Sequence, residues 1–170
     1  AIDFYKEATK EGVKPIIGME TYVAARKHTD KEPGKDKQNY HLILLAMNNT
    51  GYQNLMRLST IANLEGYYYR PRLDHDLLEQ YQEGLLVLSG CIGGEIADSI
   101  RQGQYKHAKE TAKWYKRVFG DRFYIELQDH GHPEHPHKWD EQVAANKQLI
   151  KIAKELSIDP VVTCDAHYLK

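Results

Sequence analysis

The chain has 170 residues, 41% of them hydrophobic, which suffices for one domain with a core but not for two ordinary domains. Its 23 basic and 24 acidic side chains nearly cancel, which excludes the positive field of histone-like or repressor-like proteins, so any DNA contact must be local or made by another domain. No apolar stretch approaches the roughly 20 residues of a membrane span. Two cysteines do not make a disulfide framework, so we expect a soluble protein of the reducing cytoplasm.

The first helical pattern covers residues 1–12 and starts without a capping residue ahead of it. Residues 168–170 follow an apolar strand with no helix after them. We therefore expect the chain to be an excised part of a longer domain. Residues 26–39 are almost wholly charged or polar, and we expect them to form a mobile excursion between two strands that tells little about chemistry.

Apolar runs alternate with helical patterns along the rest of the chain. Asn48 and Asp74 are suited to cap helices, and Gly90, Gly93 and Gly94 predict a tight turn from strand to helix. This alternation predicts an α/β fold with about five parallel strands and covering helices, either closed as a barrel or open and doubly wound. The predicted strands are residues 15–24, 41–46, 85–89, 123–127 and 161–164. The helices predicted between and after them are residues 48–62, 74–81, 95–102, 105–119 and 140–156.

In both architectures a functional site lies at the carboxyl ends of the strands. Asp165 and His167 are two residues apart just after the last predicted strand, so both side chains leave the same face and can converge on one ion. A carboxylate and an imidazole suit zinc, manganese or iron equally well. For an isolated pair, a turn-capping aspartate and a surface histidine are the commoner explanation, so a metal site depends on further candidates at the other strand ends.

Three further residues are such candidates. Glu20 lies within an otherwise apolar strand, where an unpaired carboxylate is costly unless it meets a cation or a donor, although strand alternation could equally turn it to solvent. His41 begins the apolar run and could be a satisfied edge residue. Cys91 follows the third strand, where a thiolate would prefer zinc or iron over magnesium, although most buried cysteines are inert packing residues.

Four histidines follow the fourth predicted strand without the spacing of a ligand set, and most of them are expected to be solvated loop residues. His130 is nearest the strand end and is a candidate contact to substrate or metal. The sequence assigns no catalytic residue. It contains no Walker-type loop, GxGxxG turn, HExxH helix or GxSxG elbow, which removes the common nucleotide-binding and nucleophile classes.

Five segments in chain order form a further pattern, namely KPIIGMETYV, HLILLAMNNTGYQNL, GLLVLSGCIGGEI, FYIELQDHG and PVVTCDAHYL. Together they resemble the polymerase and histidinol phosphatase (PHP) domain of the alpha subunit of bacterial DNA polymerase III. The resemblance covers nearly the whole chain and implies a distorted seven-stranded βα barrel, similar to a TIM barrel, that holds divalent metal ions. By position it implies that the ligand set includes Glu20, His41, Cys91, Asp165 and His167. The family's His-x-His and Asp-His motifs are absent from this chain, which implies that the first two βα units are missing.

The resemblance implies a role in DNA replication. Domains of this family are part of a DNA polymerase, which is a nucleotidyltransferase. In some members the phosphoesterase-type metal site of the domain is linked to 3′–5′ proofreading or pyrophosphate hydrolysis. In others the domain is a scaffold that stabilises the polymerase and docks a proofreading exonuclease. The aromatic and basic residues 67–72 suit such an interface, although ordinary packing under a loop is the commoner explanation of Tyr67, Tyr68 and Tyr69. The implied partners are DNA, the exonuclease subunit and the sliding clamp, with no membrane.

An amidohydrolase-like barrel enzyme with the same ligand chemistry is a third alternative, which the order of the motifs disfavours. With part of the ligand set missing, the chain on its own is expected to bind metal only partially and to hydrolyse little or nothing. Open sheet edges in such a fragment are expected to favour self-association.

Overall fold

The computed structural model describes residues 2–129 and 139–166 of the chain and has the α/β architecture that the alternating pattern predicts. In this part of the chain, one sheet of six strands packs against helices. The strands are β1 (Gly18–Ala24), β2 (Asn39–Ala46), β3 (Arg72–Leu73), β4 (Leu85–Leu88), β5 (Phe123–Gln128) and β6 (Pro160–Thr163). The helices are α1 (Ile2–Lys10), α2 (Asn49–Leu64), α3 (His75–Gln80), α4 (Glu95–Arg101), α5 (Tyr105–Phe119) and α6 (Trp139–Leu156).

The direction of one strand differs from the sequence prediction. The strand order in the sheet is β3-β1-β2-β4-β5-β6, and β2 runs antiparallel to both of its neighbours. The other pairs, β1 with β3, β4 with β5 and β5 with β6, are parallel. The prediction of parallel strands was therefore wrong for residues 41–46, and the two-residue strand β3 was not predicted. The physical reason is that residues 25–38 contain no helix to carry the chain back across the sheet, so β1 and β2 form a long-looped hairpin.

Reversal of β2 determines where His41 lies. In an all-parallel sheet, a residue at the start of a strand would lie at the edge opposite the carboxyl ends of its neighbours. In the antiparallel pair, His41 lies opposite Tyr22, near the carboxyl end of β1. His41 therefore lies at the edge of the sheet where the site was predicted, although it is near the start of β2 and not at its carboxyl end.

The polar link between β1 and β2 is anchored, in contrast to the expected mobile excursion. The guanidinium of Arg72 is fully buried and donates hydrogen bonds to the carbonyl oxygens of His28, Asp30 and Asp36 at 2.8 to 2.9 Å. Asp36 is 1% exposed and its carboxylate accepts two hydrogen bonds from Arg26. The anchor lies in strand β3, far along the chain, so the local composition of the link did not reveal it.

One face of the sheet forms the core. Val23, Leu42, Leu44 and Val87 point to this face and are almost fully buried. Helix α2 packs against β1, β2, β3 and β4, whereas α5 packs against β4 and β5, and α6 packs against β5. The burial of alternate residues agrees with a sheet that has its main core on one side.

The opposite face of the sheet carries the polar candidates. The pairing register aligns Glu20 with Ile43, Ile43 with Leu88, and Leu88 with Tyr124, and directly paired residues point to the same side. Glu126 lies two residues beyond Tyr124 and therefore points to that side as well. The carboxylates of Glu20 on β1 and Glu126 on β5 therefore lie on the same face of the sheet.

Two helix starts agree with the sequence prediction. The side chain of Asn48 accepts a hydrogen bond from the backbone N–H of Gly51, and that of Asp74 accepts one from the N–H of Leu77, both at 3.0 Å. Such caps satisfy backbone donors that have no partner within the helix. Of the helices in residues 2–129 and 139–166, none is long and apolar enough to cross a membrane.

Candidate functional site

Glu20 and His41 meet across the β1–β2 pair. Their strand positions make them diagonal neighbours on one face, because Glu20 lies opposite Ile43 and His41 lies opposite Tyr22. The imidazole Nδ1 of His41 is 2.5 Å from Oε1 of Glu20, and the ring packs edge-on against Tyr22. The two side chains are 36% and 43% exposed, so solvent screens their attraction and a bound ligand could reach both.

Cys91 is brought to the same histidine by a glycine-rich turn. Its Sγ lies 3.4 Å from Nδ1 of His41, and the backbone N–H of Gly93 donates to the sulfur at 3.3 Å. The backbone N–H of His41 donates in turn to the Gly93 carbonyl at 3.1 Å. Gly90 has a φ of 80°, and a Cβ there would lie 2.6 Å from the carbonyl oxygen of His41. Only glycine lets the turn pack this closely on the start of β2.

The surroundings of Cys91 favour its neutral form. Burial raises the pKa of the Cys91 thiol, and the hydrogen bond from Gly93 opposes that effect. The carboxylates of Asp165, Glu20 and Glu126 raise the thiol pKa further. A cysteine that coordinates a metal ion is a thiolate, so a cation at this position would favour the thiolate of Cys91 over its neutral thiol.

Asp165 lies just beyond β6 with a φ of 52°, a left-handed conformation that is uncommon for residues other than glycine. It lines a cavity of about 500 Å³ together with Glu20, Glu126 and Thr163. Unusual backbone conformations of this kind cluster at functional sites. His167 and His130, the other two predicted site residues, lie outside the described residues.

Glu126 is a site residue that was not predicted. Its side chain is 4% exposed, and Oε1 accepts a hydrogen bond from the Thr163 hydroxyl at 2.6 Å. Its Oε2 is buried and has no hydrogen-bond partner among the described residues. The signal for it was a carboxylate within an apolar strand, the same signal that identified Glu20. At this strand the sequence predicted only His130, after the strand end, as a candidate, whereas the buried acid lies within the strand.

The cavity between these residues is acidic. Three carboxylates, those of Glu20, Glu126 and Asp165, are among the groups that line it, and none of its described lining residues is a lysine or an arginine. Carboxylates that share a small volume repel one another unless a cation lies between them. A larger cavity of about 570 Å³ beside α1 has no acidic or histidine side chain among its described lining residues, so it lacks comparable chemistry.

Across residues 2–129 and 139–166, no group of three or more histidine, cysteine, aspartate or glutamate side chains is already arranged as a metal site. The candidate ligands instead contact one another, with His41 Nδ1 close to both Glu20 and Cys91. Their donor atoms nonetheless suit zinc, manganese or iron, which accept nitrogen, oxygen or sulfur ligands. The buried Oε2 of Glu126 adds an oxygen donor of the same kind, so the residues fit a divalent ion.

A second polar network, also unpredicted, joins α3, α4 and α5. Nε2 of His75 is 2.9 Å from Oε2 of Glu95, and the buried Tyr115 hydroxyl donates to the same oxygen at 3.2 Å. Burial, with the nearby Glu95 carboxylate, raises the pKa of Tyr115 well above its ordinary value, so its hydroxyl stays a donor. The His75 ring also stacks on Trp114. Because these polar groups satisfy one another, the network holds the three helices together.

Several known relatives of this chain share one name. The chain is 47% identical to DNA polymerase III subunit alpha of Borreliella burgdorferi, 45% identical to that of Thermus aquaticus and 42% identical to that of Deinococcus radiodurans. The alignments cover 99%, 100% and 100% of this chain. They cover only 14%, 14% and 12% of the relatives, so the chain spans a small part of their length.

A family match covers most of the chain. The profile of the PHP domain matches residues 1–130, which include Glu20, His41, Cys91 and Glu126, whereas Asp165 lies beyond the match. Together with the relatives, this match confirms the resemblance that the five sequence segments indicated. The chain belongs to the PHP domain family.

Proposed function

We propose that this PHP site binds divalent metal ions and is of the phosphoesterase type. The observation that supports the proposal best is the contact of Glu20, His41 and Cys91, which supply oxygen, nitrogen and sulfur donors from different elements. Asp165 lines the adjoining cavity, and the family resemblance marks His167, two residues later in the sequence, as a further ligand. Zinc, manganese and iron are the ions that suit this mixture of donors.

The residues of the site have separable tasks in phosphoester hydrolysis. A bound divalent ion would lower the pKa of a coordinated water toward neutrality and hold phosphate oxygens. Glu20 and Asp165 supply negative charge that attracts cations, and His41 and Cys91 supply the directional nitrogen and sulfur donors. The Gly93 N–H fixes the position of the sulfur. The partly exposed side chains of Glu20 and His41 leave the site open to a substrate from solvent.

Elemental analysis and a hydrolysis assay on the intact protein that carries this chain test the proposal. We expect bound zinc, manganese or iron in the wild type, with cleavage of a phosphodiester or of the 3′ end of a DNA strand. His41→Ala and Asp165→Asn should lose both metal and hydrolysis, whereas His107→Ala, on the exposed face of α5, should lose neither. A metal-free wild type, hydrolysis unchanged by Asp165→Asn, or cleavage of an amide substrate in place of the phosphodiester would each contradict it.

We further propose that the chain is the PHP portion of a bacterial replicative DNA polymerase. Support comes from relatives named DNA polymerase III subunit alpha that are 38% to 47% identical over nearly the whole chain. On this proposal the intact protein is a DNA-directed DNA polymerase, a nucleotidyltransferase of the cytoplasm. It would act on DNA with a proofreading exonuclease subunit and a sliding clamp, and the PHP site would serve 3′–5′ proofreading or pyrophosphate removal.

A scaffold that docks the exonuclease is the second candidate function. Tyr67 and Tyr69 are 55% and 63% exposed, whereas the ring of Tyr68 packs under the guanidinium of Arg72. Exposed tyrosines near arginine suit an interface. We expect Tyr67→Ala combined with Tyr69→Ala to weaken binding of the purified exonuclease subunit without changing hydrolysis, and Tyr52→Ala on α2 to serve as the control. Unaltered binding in the double variant would count against docking.

We also propose that residues 1–170 form part of a seven-stranded barrel domain. Support comes from the partly exposed face of β1 and β2, which would point to the inside of a closed sheet. Strands β3 and β6 form the edges of the described sheet, and further strands could pair there. For the chain on its own, the same edges would favour self-association, and light scattering from a strictly monomeric species would contradict that expectation.

A further inference from the structure

We propose that Glu126 is an additional cation-binding residue, which holds a hard divalent ion such as Mn²⁺ through its Oε2 atom. It is not one of the five residues that the family resemblance marks as ligands. The inference rests on the proposed metal site and extends it by a second position with a different ion preference.

The two oxygens of the Glu126 carboxylate have different surroundings. Oε1 accepts the hydrogen bond from the Thr163 hydroxyl on the neighbouring strand β6, which fixes the orientation of the carboxylate. The backbone N–H of Glu126 donates to the Ser89 hydroxyl at 2.9 Å, which holds this part of β5 against the end of β4. Oε2 is left buried and without a hydrogen-bond partner among the described residues. The side chain is therefore held in place with one oxygen available to a ligand.

Positive charge would stabilise a carboxylate in this setting. Glu126 is 4% exposed, and a buried ionised group without a partner is strongly disfavoured relative to water. Its cavity also contains the carboxylates of Glu20 and Asp165, and no described lining residue is basic. A cation that satisfies Oε2 would offset the cost of burying this charge.

The donors around this cavity also indicate the class of cation. Four of the described lining residues, Glu20, Glu126, Asp165 and Thr163, carry side-chain oxygen atoms, which hard ions such as Mn²⁺ and Mg²⁺ prefer. Cys164 also lines the cavity, so oxygen donors outnumber sulfur donors there by four to one. The sulfur of Cys91 and the imidazole of His41 meet beside Glu20, are not among the described residues that line this cavity, and suit zinc better. Glu20 is thus shared by an oxygen-rich position and a softer one. The site would therefore contain two positions that prefer different kinds of metal ion.

Titration of the intact, metal-free protein with Mn²⁺ and with Zn²⁺ tests this assignment. Glu126→Gln keeps the shape of the side chain and an acceptor for Thr163 but removes the charge. We expect it to weaken Mn²⁺ binding by about tenfold to a hundredfold and to leave Zn²⁺ binding unchanged, whereas Cys91→Ser should do the reverse. Glu83→Gln, at an exposed position outside the cavity, is the matched control and should change neither affinity.

Thermal unfolding of the same variants provides a readout independent of binding. Without metal, Glu126→Gln should melt at the same temperature as the wild type or higher, because it removes a buried charge whose Oε2 has no hydrogen-bond partner among the described residues. Addition of Mn²⁺ should then raise its melting temperature less than that of the wild type. A lower melting temperature without metal, combined with unchanged Mn²⁺ affinity, would show that Glu126 pairs with a basic side chain instead and would overturn the assignment.

The outcomes also separate this inference from the proposed function. If the wild type binds neither ion, the metal site itself is wrong. If the wild type binds both ions and Glu126→Gln binds them equally well, the proposed function stands and the role of Glu126 alone is refuted.

Discussion

Arg26 and Asp36 form a two-point ion pair in the link between β1 and β2, with Nε to Oδ1 at 2.8 Å and Nη2 to Oδ2 at 2.6 Å. This hydrogen-bonded guanidinium lowers the pKa of Asp36 from its ordinary 3.8 to about 2. The pair fixes the link whose carbonyl oxygens also bind Arg72. Protonation of the Asp36 carboxylate alone should therefore loosen the link between β1 and β2.

The pH dependence of this contribution has a definite sign. Because the folded-state pKa lies below the unfolded value, the pair stabilises the protein above about pH 4 and loses its effect as the pH falls toward about 2. We expect Asp36→Asn to lower the melting temperature at neutral pH and to have little effect near pH 2. Asp76→Asn removes an exposed ion pair with Lys27 and should change little at either pH. Equal destabilisation by Asp36→Asn at both pH values would refute this account.

Replacement of Arg72 should destabilise the fold strongly. Arg72→Met leaves the carbonyl oxygens of Gly66, His28, Asp30 and Asp36 without their donor, at a cost of roughly 3 kcal/mol or more in the free energy of unfolding. Urea denaturation measures the loss. Arg70→Met is the matched control, since Arg70 is exposed and its guanidinium lies over the ring of Tyr22, so it should cost less than about 1 kcal/mol. Similar losses in the two variants would contradict the anchoring role.

Gly90→Ala should damage the site as well as the fold. The new Cβ would meet the carbonyl oxygen of His41 at 2.6 Å, in addition to the strain of a φ of 80°. Gly103→Ala isolates the strain, because Gly103 has a φ of 73° and no neighbour within 4 Å of the added Cβ. We expect Gly103→Ala to cost about 1–2 kcal/mol without affecting metal binding. Gly90→Ala should cost more and should also weaken Zn²⁺ binding, and a Zn²⁺ affinity equal to that of Gly103→Ala would argue against the proposed packing.

The two cysteines should differ in reactivity. Cys164 is exposed, whereas Cys91 is partly buried with a pKa raised by that burial and by nearby carboxylates. In metal-free protein, iodoacetamide should therefore modify Cys164 first, and mass spectrometry of the digested protein follows each site. Added Zn²⁺ should slow modification of Cys91 and leave Cys164 reactive. Faster modification of Cys91 than of Cys164 would be inconsistent with these surroundings.

Features that depend on residues close to one another in the sequence were predictable. The helix caps Asn48 and Asp74, and the strands around Leu42 and Val87, follow from local pattern and hydrophobicity, and the structure confirms them. The resemblance to the PHP family was likewise correct. It could be recognised from the sequence because each of the five segments that carry it is a continuous run of residues.

Features that depend on distant residues were not predictable in the same way. The anchoring of the β1–β2 link by Arg72 through backbone carbonyl groups is one such feature, and it does not appear in the local hydrophobic pattern. The direction of β2 could have been inferred, because the sequence already predicted no helix between the first two strands. Glu126 could have been identified from its apolar neighbours, but its unpartnered oxygen and the acidity of its cavity emerge only when β5 and β6 pair.

The β1–β2 hairpin has a consequence for the order of folding. Glu20 and His41 lie on adjacent strands of one local unit, whereas Cys91, Glu126 and Asp165 come from later parts of the chain. Contacts between residues close in sequence form sooner than those that need parallel pairing across long loops. We therefore expect the first two donors to meet early in refolding, so that a metal ion present at that stage could accelerate assembly of the rest.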